Sequence, residues 1–365
     1  MKITFPQLGN TCYAAKAVFD GLGIDYVLPP KSNKRCLELG SLYSPEEMCL
    51  PFKIMLGGYI QSIENGADTV IITGSCGPCR FGEYCELQMN LLKKLGYNVN
   101  FIVLDKPSSI GKKEFFKRIS KISNESSLSI NKKLKVIYDA YRIINLMDYI
   151  EKEARRKTGF EANVGECKKI LRNCKKYAFN YNNPEELLSF LKNCKHKIDN
   201  VKLNKENHPI KIAIIGEIYT IIEPFSNFYI EDKLMDYGIS TSRHLNPSWW
   251  FKDAVLSIFK LNSLDLRLNS KEYLPYYIGG HARECIGEAV MSSHSNFDGA
   301  IQIFPLGCMP EIVAKSILPK ISKDKNFPIL SLIVDEMSGE AGYITRIEAF
   351  IDLLERRENN VLHGC

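Results

Sequence analysis

The feature that most constrains the fold is an alternation of short apolar runs with helix-periodic segments. It occupies both ends of the chain and fades in the middle. In residues 1–105 the runs Lys2–Phe5, Tyr26–Leu28, Thr69–Thr73 and Asn100–Leu104 are bounded by turn residues and read as strands. Between them Thr11–Leu22, Pro51–Asn65 and Gly82–Leu95 carry apolar residues at helical spacing. Strands separated by helices pair in parallel, with the helices covering the sheet. After Glu206-Asn207-His208-Pro209 the pattern resumes with strands Lys211–Ile215, Ala300–Phe304 and Ile329–Val334. Its helices are Asp253–Phe259, His281–Ser292, Pro310–Ile317 and Thr345–Glu355. At 365 residues the chain exceeds one ordinary domain. The expectation is an α/β protein with two domains facing each other across a cleft.

The middle differs in charge as well as in pattern. Residues 106–205 hold 24 Lys+Arg against 11 Asp+Glu, a net +13, so the rest of this +6 chain carries −7. Asn131–Thr158 and Pro184–His196 read as Lys-rich helices. The division expected is therefore an α/β domain over 1–105, a helical segment over 106–205 and a second α/β domain over 206–365. A basic face recruits anions, CoA phosphates among them, or it is a solvated helix surface. No nucleic-acid motif accompanies it, so no nucleic-acid partner is expected. No apolar run is long enough to span a membrane, and the first residues lack a signal peptide's apolar core. The expected location is the cytosol, and the oligomeric state, a homo-oligomer included, is left open.

A reducing compartment changes the meaning of the 12 cysteines. Disulfides are disfavoured there, and grouped cysteines point to metal or redox chemistry. Cys36, Cys167, Cys174, Cys194 and Cys365 read as plain core residues. Three others share a pattern: Cys49-Leu50-Pro51, Cys76-Gly77-Pro78 and Cys308-Met309-Pro310. Ordinary proline usage gives about 0.6 such triplets among this many cysteines. Proline suits the first turn of a helix, so the cysteine before it lies beside unpaired backbone N–H groups and the positive end of the dipole. That setting favours thiolate over thiol, as an iron–sulfur ligand requires.

Position reinforces the pattern. Cys12, Cys76 and Cys308 each follow an expected strand, and Cys49 opens the helix leading to the Cys76 strand. All four are expected at carboxyl edges of parallel sheets, where such folds bind ligands. Cys285 lies in Gly279-Gly280-His281-Ala282-Arg283-Glu284-Cys285, a glycine turn opening a helix, four residues after His281. Ligation and helical packing both account for it. Cys76-Gly77-Pro78-Cys79 also matches the redox motif of thioredoxin-like proteins, and a zinc site is a weaker alternative with a single C-x-x-C pair. The metal candidates are Cys12, Cys49, Cys76, Cys79, Cys285 and Cys308.

Among other polar residues, Glu217 follows the strand Lys211–Ile215, and Asp335 and Glu336 follow Ile329–Val334. Glu217 and His281 are the candidates for moving protons or contacting substrate. Acids in such places also cap the next helix. Arg80 and Arg346 are candidates for offsetting the charge of a thiolate-bound cofactor.

These segments together resemble a known group. Ser44-Pro45-Glu46-Glu47-Met48-Cys49-Leu50-Pro51-Phe52-Lys53 and Cys76-Gly77-Pro78-Cys79-Arg80-Phe81-Gly82-Glu83-Tyr84 are similar to the 2-hydroxyacyl-CoA dehydratase and acyl-CoA dehydratase activase-related proteins. So are Gly216-Glu217-Ile218-Tyr219, Phe304 through Glu311, and Asp335-Glu336 through Arg346. The resemblance implies two Rossmann-like domains with an iron–sulfur cluster, [4Fe–4S] or double-cubane, held between them. It also implies a separate ATP-hydrolysing activase as electron donor, and dehydration of a 2-hydroxyacyl-CoA or reduction of a small molecule. A non-catalytic cluster-binding scaffold is the third reading. Cys85 stands where the group more often has another polar residue. No phosphate loop is visible in this chain, so ATP hydrolysis would come from another protein.

Overall fold

The computed structural model describes residues 1–74, 80–104, 110–257 and 262–363. Strand Ile3–Thr4 (β1) precedes helices Thr11–Leu22 (α1), Lys34–Tyr43 (α2) and Leu50–Glu64 (α3). Thr69–Thr73 (β2) is followed by a 3-10 turn at Arg80–Glu83, helix Tyr84–Lys94 (α4) and Asn100–Leu104 (β3). Helices Lys112–Ser123 (α5), Ile130–Lys157 (α6), Glu166–Ala178 (α7) and Pro184–Asp199 (α8) come next. Lys211–Gly216 (β4), Ile218–Ile222 (α9), Ile230–Asp236 (α10) and Ser240–Ser242 (β5) lead to Pro247–Ser257 (α11) and Leu264–Ser270 (α12). The chain continues through Ala282–Ser293 (α13), Gly299–Pro305 (β6), Met309–Asp324 (α14), Ile329–Val334 (β7) and Glu340–His363 (α15).

The protein is α/β, with two parallel sheets. It divides into two compact units: Met1–Ile150 with Asn173–His196 and Pro247–Asn262, and Glu151–Arg172 with Lys197–Asn246 and Ser263–Cys365. The Lys-rich stretch is shared out, because the unit boundaries fall within α6, α7 and α8. Among the described residues no helix is long and apolar enough to cross a membrane.

The first unit's sheet has the order β1-β2-β3, and Tyr26 adds one parallel bridge to Ile3 on the far side of β1. Strands β2 and β3 have the bounds expected from sequence, whereas Tyr26–Leu28 shrinks to that bridge. Helix α2, unmarked by the sequence pattern, packs against α3 through two glycines. A Cβ on Gly40 would lie 1.7 Å from the Lys53 carbonyl oxygen, and one on Gly57 would lie 1.8 Å from that of Cys36. Only glycine lets these backbones approach so closely. Cys36 is buried at the contact and accepts a hydrogen bond from Gln61 Nε2 at 3.0 Å.

The second unit's sheet has the order β5-β4-β6-β7. Every residue of β6 is buried, as a central strand covered on both faces requires. Ala213 and Ile215 of β4, Ile286 and Ala289 of α13, and Ala314 and Leu318 of α14 share one core. Beside it, Arg155, Glu151, Arg243 and Glu231 form a buried, charge-balanced quartet; Arg155 Nη2 is 2.6 Å from Glu151, and both arginines also reach Glu231. In each sheet the first strand of the unit is interior, between Tyr26 and β2 or between β5 and β6. Strand order therefore reverses beside β1 and beside β4, the point where open α/β sheets leave a crevice.

Candidate functional site

The first unit's candidate residues are set by how its helices start. A helix that connects parallel strands runs back along the sheet, so its N-terminus lies at the strands' carboxyl edge. Cys49 is the N-cap of α3, with extended backbone (φ −68°, ψ 155°) and Pro51 in the first turn. The Phe52 N–H donates to the Cys49 carbonyl at 3.0 Å. The half-buried Cys49 Sγ is hydrogen-bonded with the Tyr84 hydroxyl. Tyr84 opens α4, five residues after Cys79 in sequence, and is itself buried. Its ring is held edge-on by Phe52, centroids 5.0 Å apart, and by Phe81 at 4.9 Å. Two helix starts on either side of β2 are thus tied through one sulfur.

Lys53, one turn into α3, is only 2% exposed and donates from Nζ to the Glu46 carbonyl at 3.1 Å. A buried ammonium in this turn adds positive charge beside the helix N-terminus. Its burial is not legible in the sequence, where a lysine ordinarily reads as surface.

Cys12, the second residue of α1, is buried, and its thiol donates to the Gly9 carbonyl at 3.2 Å. Asn10, just before α1, donates from Nδ2 to Asp148 at 2.8 Å, and the other oxygen of Asp148 accepts from the Ser248 N–H at 2.7 Å. Cys76 and Cys79 lie outside the described residues, as does the side chain of Arg80. Cys85 is half-buried near Tyr59, whose hydroxyl is pushed well above its ordinary pKa by burial first and by Cys85 second.

In the second unit Glu217 follows β4 through Gly216, whose φ of +128° suits glycine; a Cβ there would lie 2.1 Å from the Ile303 carbonyl. The Glu217 carboxylate accepts from the Tyr219 N–H at 2.9 Å, the Thr220 N–H at 2.8 Å and the Thr220 hydroxyl at 2.6 Å. It caps α9, one of the two roles the sequence allows. Asp335 likewise accepts from the Met337 N–H and the Ser338 hydroxyl.

Cys308 is the N-cap of α14, with Pro310 in the first turn, and is half-buried. Leu306, Met309 and Ile312 beside it are exposed. His281 is the N-cap of α13. The preceding Gly280 fits so closely on Pro310 that a Cβ would lie 2.7 Å from its ring, which joins the starts of α13 and α14. Arg346 is on α15, where Nη2 donates to the Ser331 carbonyl of β7 at 3.0 Å.

Cys285 is completely buried. Burial first, and then the neighbouring Glu311, push its thiol well above the ordinary range. Glu311 Oε2 accepts from Gln302 Nε2 at 2.9 Å, and Gln302 Oε1 accepts from the Ser331 hydroxyl at 2.7 Å. Glu311 is 1% exposed, and burial pushes its carboxyl up to about 7. Glu288, one helical turn beyond Cys285, accepts from the His244 N–H and is pushed up to about 8 by burial. This carboxyl–thiol cluster escapes sequence inspection because Glu311 falls where a capping acid is expected, three residues after the N-cap.

The first unit thus brings Cys49 to the helix that follows Cys79. The second gathers Cys308, His281, Cys285 and Glu217 around the ends of β4 and β6, while Arg346 is engaged on β7. Cys49 and Cys308 both occupy helix starts, the setting that favours a ligating thiolate; the Cys12 thiol donates to a backbone carbonyl, and Cys285 is completely buried. Among the described residues no group of three or more His, Cys, Asp or Glu is arranged to hold a metal ion. Compared with known proteins, the chain matches no family model, and no curated protein is significantly similar to it.

Proposed function

We propose that this chain is an iron–sulfur protein whose first unit supplies the thiolates Cys49, Cys76 and Cys79, and that its two sheets are Rossmann-like. The observation that carries the reading is the Cys49–Tyr84 contact. It draws an N-cap cysteine, distant in sequence, to the helix that directly follows the C-x-x-C segment. A hydroxyl and nearby helix N–H groups favour sulfur as thiolate, and buried Lys53 adds positive charge one turn away. Cys308 in the second unit is likewise an N-cap cysteine followed by proline, the setting that favours a thiolate.

When bound, a [4Fe–4S] or double-cubane cluster supplies single electrons at low potential. The chain's own residues would hold the thiolates and exclude water through Phe52, Phe81 and Tyr84. An ATP-hydrolysing activase or another electron donor is the partner in this reading. The substrate is a 2-hydroxyacyl-CoA or a small reducible molecule.

The test is anaerobic reconstitution with ferrous iron and sulfide, followed by visible and paramagnetic resonance spectroscopy. A brown protein whose absorbance bleaches in air supports the reading. A colourless protein with a reversible Cys76/Cys79 dithiol instead supports a thiol–disulfide oxidoreductase.

A further inference from the structure

Among the described cysteines of the first unit, Cys12, Cys36, Cys174 and Cys194 are buried, and only Cys49 and Cys85 are half-buried. Cys85, the second residue of α4, lies on the same helix contact as Cys49. Phe52, Leu56 and Tyr59 follow the Cys49 N-cap along α3 and are all buried. Their spacing puts them within about 60° of arc, on one face. On α4, Tyr84, Cys85, Gln88 and Leu92 fall within about 100° of arc, and Tyr84, Gln88 and Leu92 are buried. The two faces meet where Phe52 packs edge-on against Tyr84 and Gln88 Nε2 donates to the Phe52 carbonyl at 3.5 Å.

A buried hydroxyl gives this second thiol a use. Tyr59 is 1% exposed, and its hydroxyl has no hydrogen-bond partner among the described residues. Phe101 of β3 holds its ring edge-on, centroids 6.4 Å apart, so the hydroxyl is fixed in place. A buried polar group left unpaired is costly and calls for a partner. Cys85 is the ionisable neighbour whose charge opposes ionisation of the phenol, which therefore stays a donor. Cys49 already has a tyrosine hydroxyl on its sulfur, from Tyr84. Tyr59 and Cys85 repeat that pairing with the helices exchanged, the tyrosine on α3 and the thiol on α4. A thiolate at Cys85 supplies the acceptor that the Tyr59 hydroxyl lacks.

A [4Fe–4S] cluster takes four thiolates, and the function proposed above supplies three. We propose that Cys85 is the fourth iron ligand of the first unit, with the Tyr59 hydroxyl as hydrogen-bond donor to its sulfur. This assignment rests on the iron–sulfur reading and adds one ligand to it. On loading, the sulfur bonds to iron and the thiol proton passes to solvent.

The test compares the full chain before and after anaerobic reconstitution with ferrous iron and sulfide. Iron analysis reads loading, and peptide mapping after iodoacetamide reads the reactivity of Cys85. Cys85 should react at least about tenfold more slowly in the loaded chain than in the iron-free one, because a metal-bound sulfur is not a free nucleophile. Cys85→Ala should melt like the parent when iron-free. After reconstitution it should keep at most about half of the parent's iron, or show a three-iron cluster by paramagnetic resonance. Tyr59→Phe should load, yet lose its visible absorbance in air at least about twofold faster, since hydrogen bonds to sulfur set the cluster's potential. A parent that binds no iron overturns the iron–sulfur reading and this ligand with it. A loaded parent whose Cys85 reacts as fast as before loading overturns Cys85 alone. So does a Cys85→Ala variant with the parent's iron content and resonance spectrum. An unchanged bleaching rate in Tyr59→Phe overturns the role given to Tyr59. If Cys85→Ala does not fold, the alkylation of the unaltered chain decides.

Discussion

The Cys49 thiol and the Tyr84 hydroxyl are hydrogen-bonded, and this contact joins the start of α3 to the start of α4. The tyrosine cannot easily turn away, because Phe52 and Phe81 pack its ring. Removing the hydroxyl withdraws a group able to donate to the sulfur and so to favour its thiolate form. Tyr84→Phe should slow alkylation of Cys49 at neutral pH by roughly tenfold, equivalent to about 1.4 kcal/mol. Peptide mapping of iodoacetamide-treated protein reads this, and an unchanged rate would show that the contact does not tune the sulfur.

The buried carboxyls give the second unit a definite pH response. Burial raises Glu311 to about 7 and Glu288 to about 8, above the range of an unfolded carboxyl. The folded state therefore holds protons that the unfolded state has lost. Their contribution to stability is complete below the unfolded pKa and disappears as pH rises through the folded values. The unfolding midpoint should fall between about pH 5 and about pH 9, and Glu311→Gln or Glu288→Gln should flatten that slope in thermal melts.

Two adjacent glycines should respond in opposite directions. A Cβ on Gly57 meets the Cys36 carbonyl, whereas one on Gly58 has no atom within 4 Å. Gly57→Ala should destabilise by about 1–3 kcal/mol as α2 and α3 are forced apart. Gly58→Ala should stabilise by about 0.5–1 kcal/mol through helix propensity. Urea unfolding of both variants checks the pair.

The Arg155–Glu151–Arg243–Glu231 quartet balances two cations with two anions out of water. Glu231→Gln leaves two buried guanidinium groups sharing one carboxylate. A loss of about 3–5 kcal/mol is expected, measured by denaturant unfolding. A loss below about 1 kcal/mol would mean that water reaches the arginines.

Much of the α/β framework was legible in the sequence because buried parallel strands leave apolar runs. Thr69–Thr73, Asn100–Leu104 and Ile329–Val334 were located to the residue. Ser240–Ser242 left no such run: this polar edge strand pairs through its backbone. Cys167 and Cys174, seven apart on α7, are both buried, as shared-face spacing suggests. The cysteine–proline pattern located Cys49 and Cys308 at helix starts, because proline at that position is a local signal. The contact of Cys49 with Tyr84, the burial of Lys53 and the placing of Glu311 beside Cys285 were not legible. Each depends on side chains brought together by tertiary packing, and local spacing carries no record of it.

The most direct measurement is iron and acid-labile sulfide per chain after anaerobic reconstitution, compared for the parent, Cys49→Ser and Cys36→Ser. Cys36 is the internal control, a buried cysteine at the α2–α3 contact. The account predicts a loaded parent, a loaded Cys36→Ser, and a Cys49→Ser variant that folds but loses most of its iron. A parent that binds none, or Cys49→Ser loaded like the parent, contradicts it.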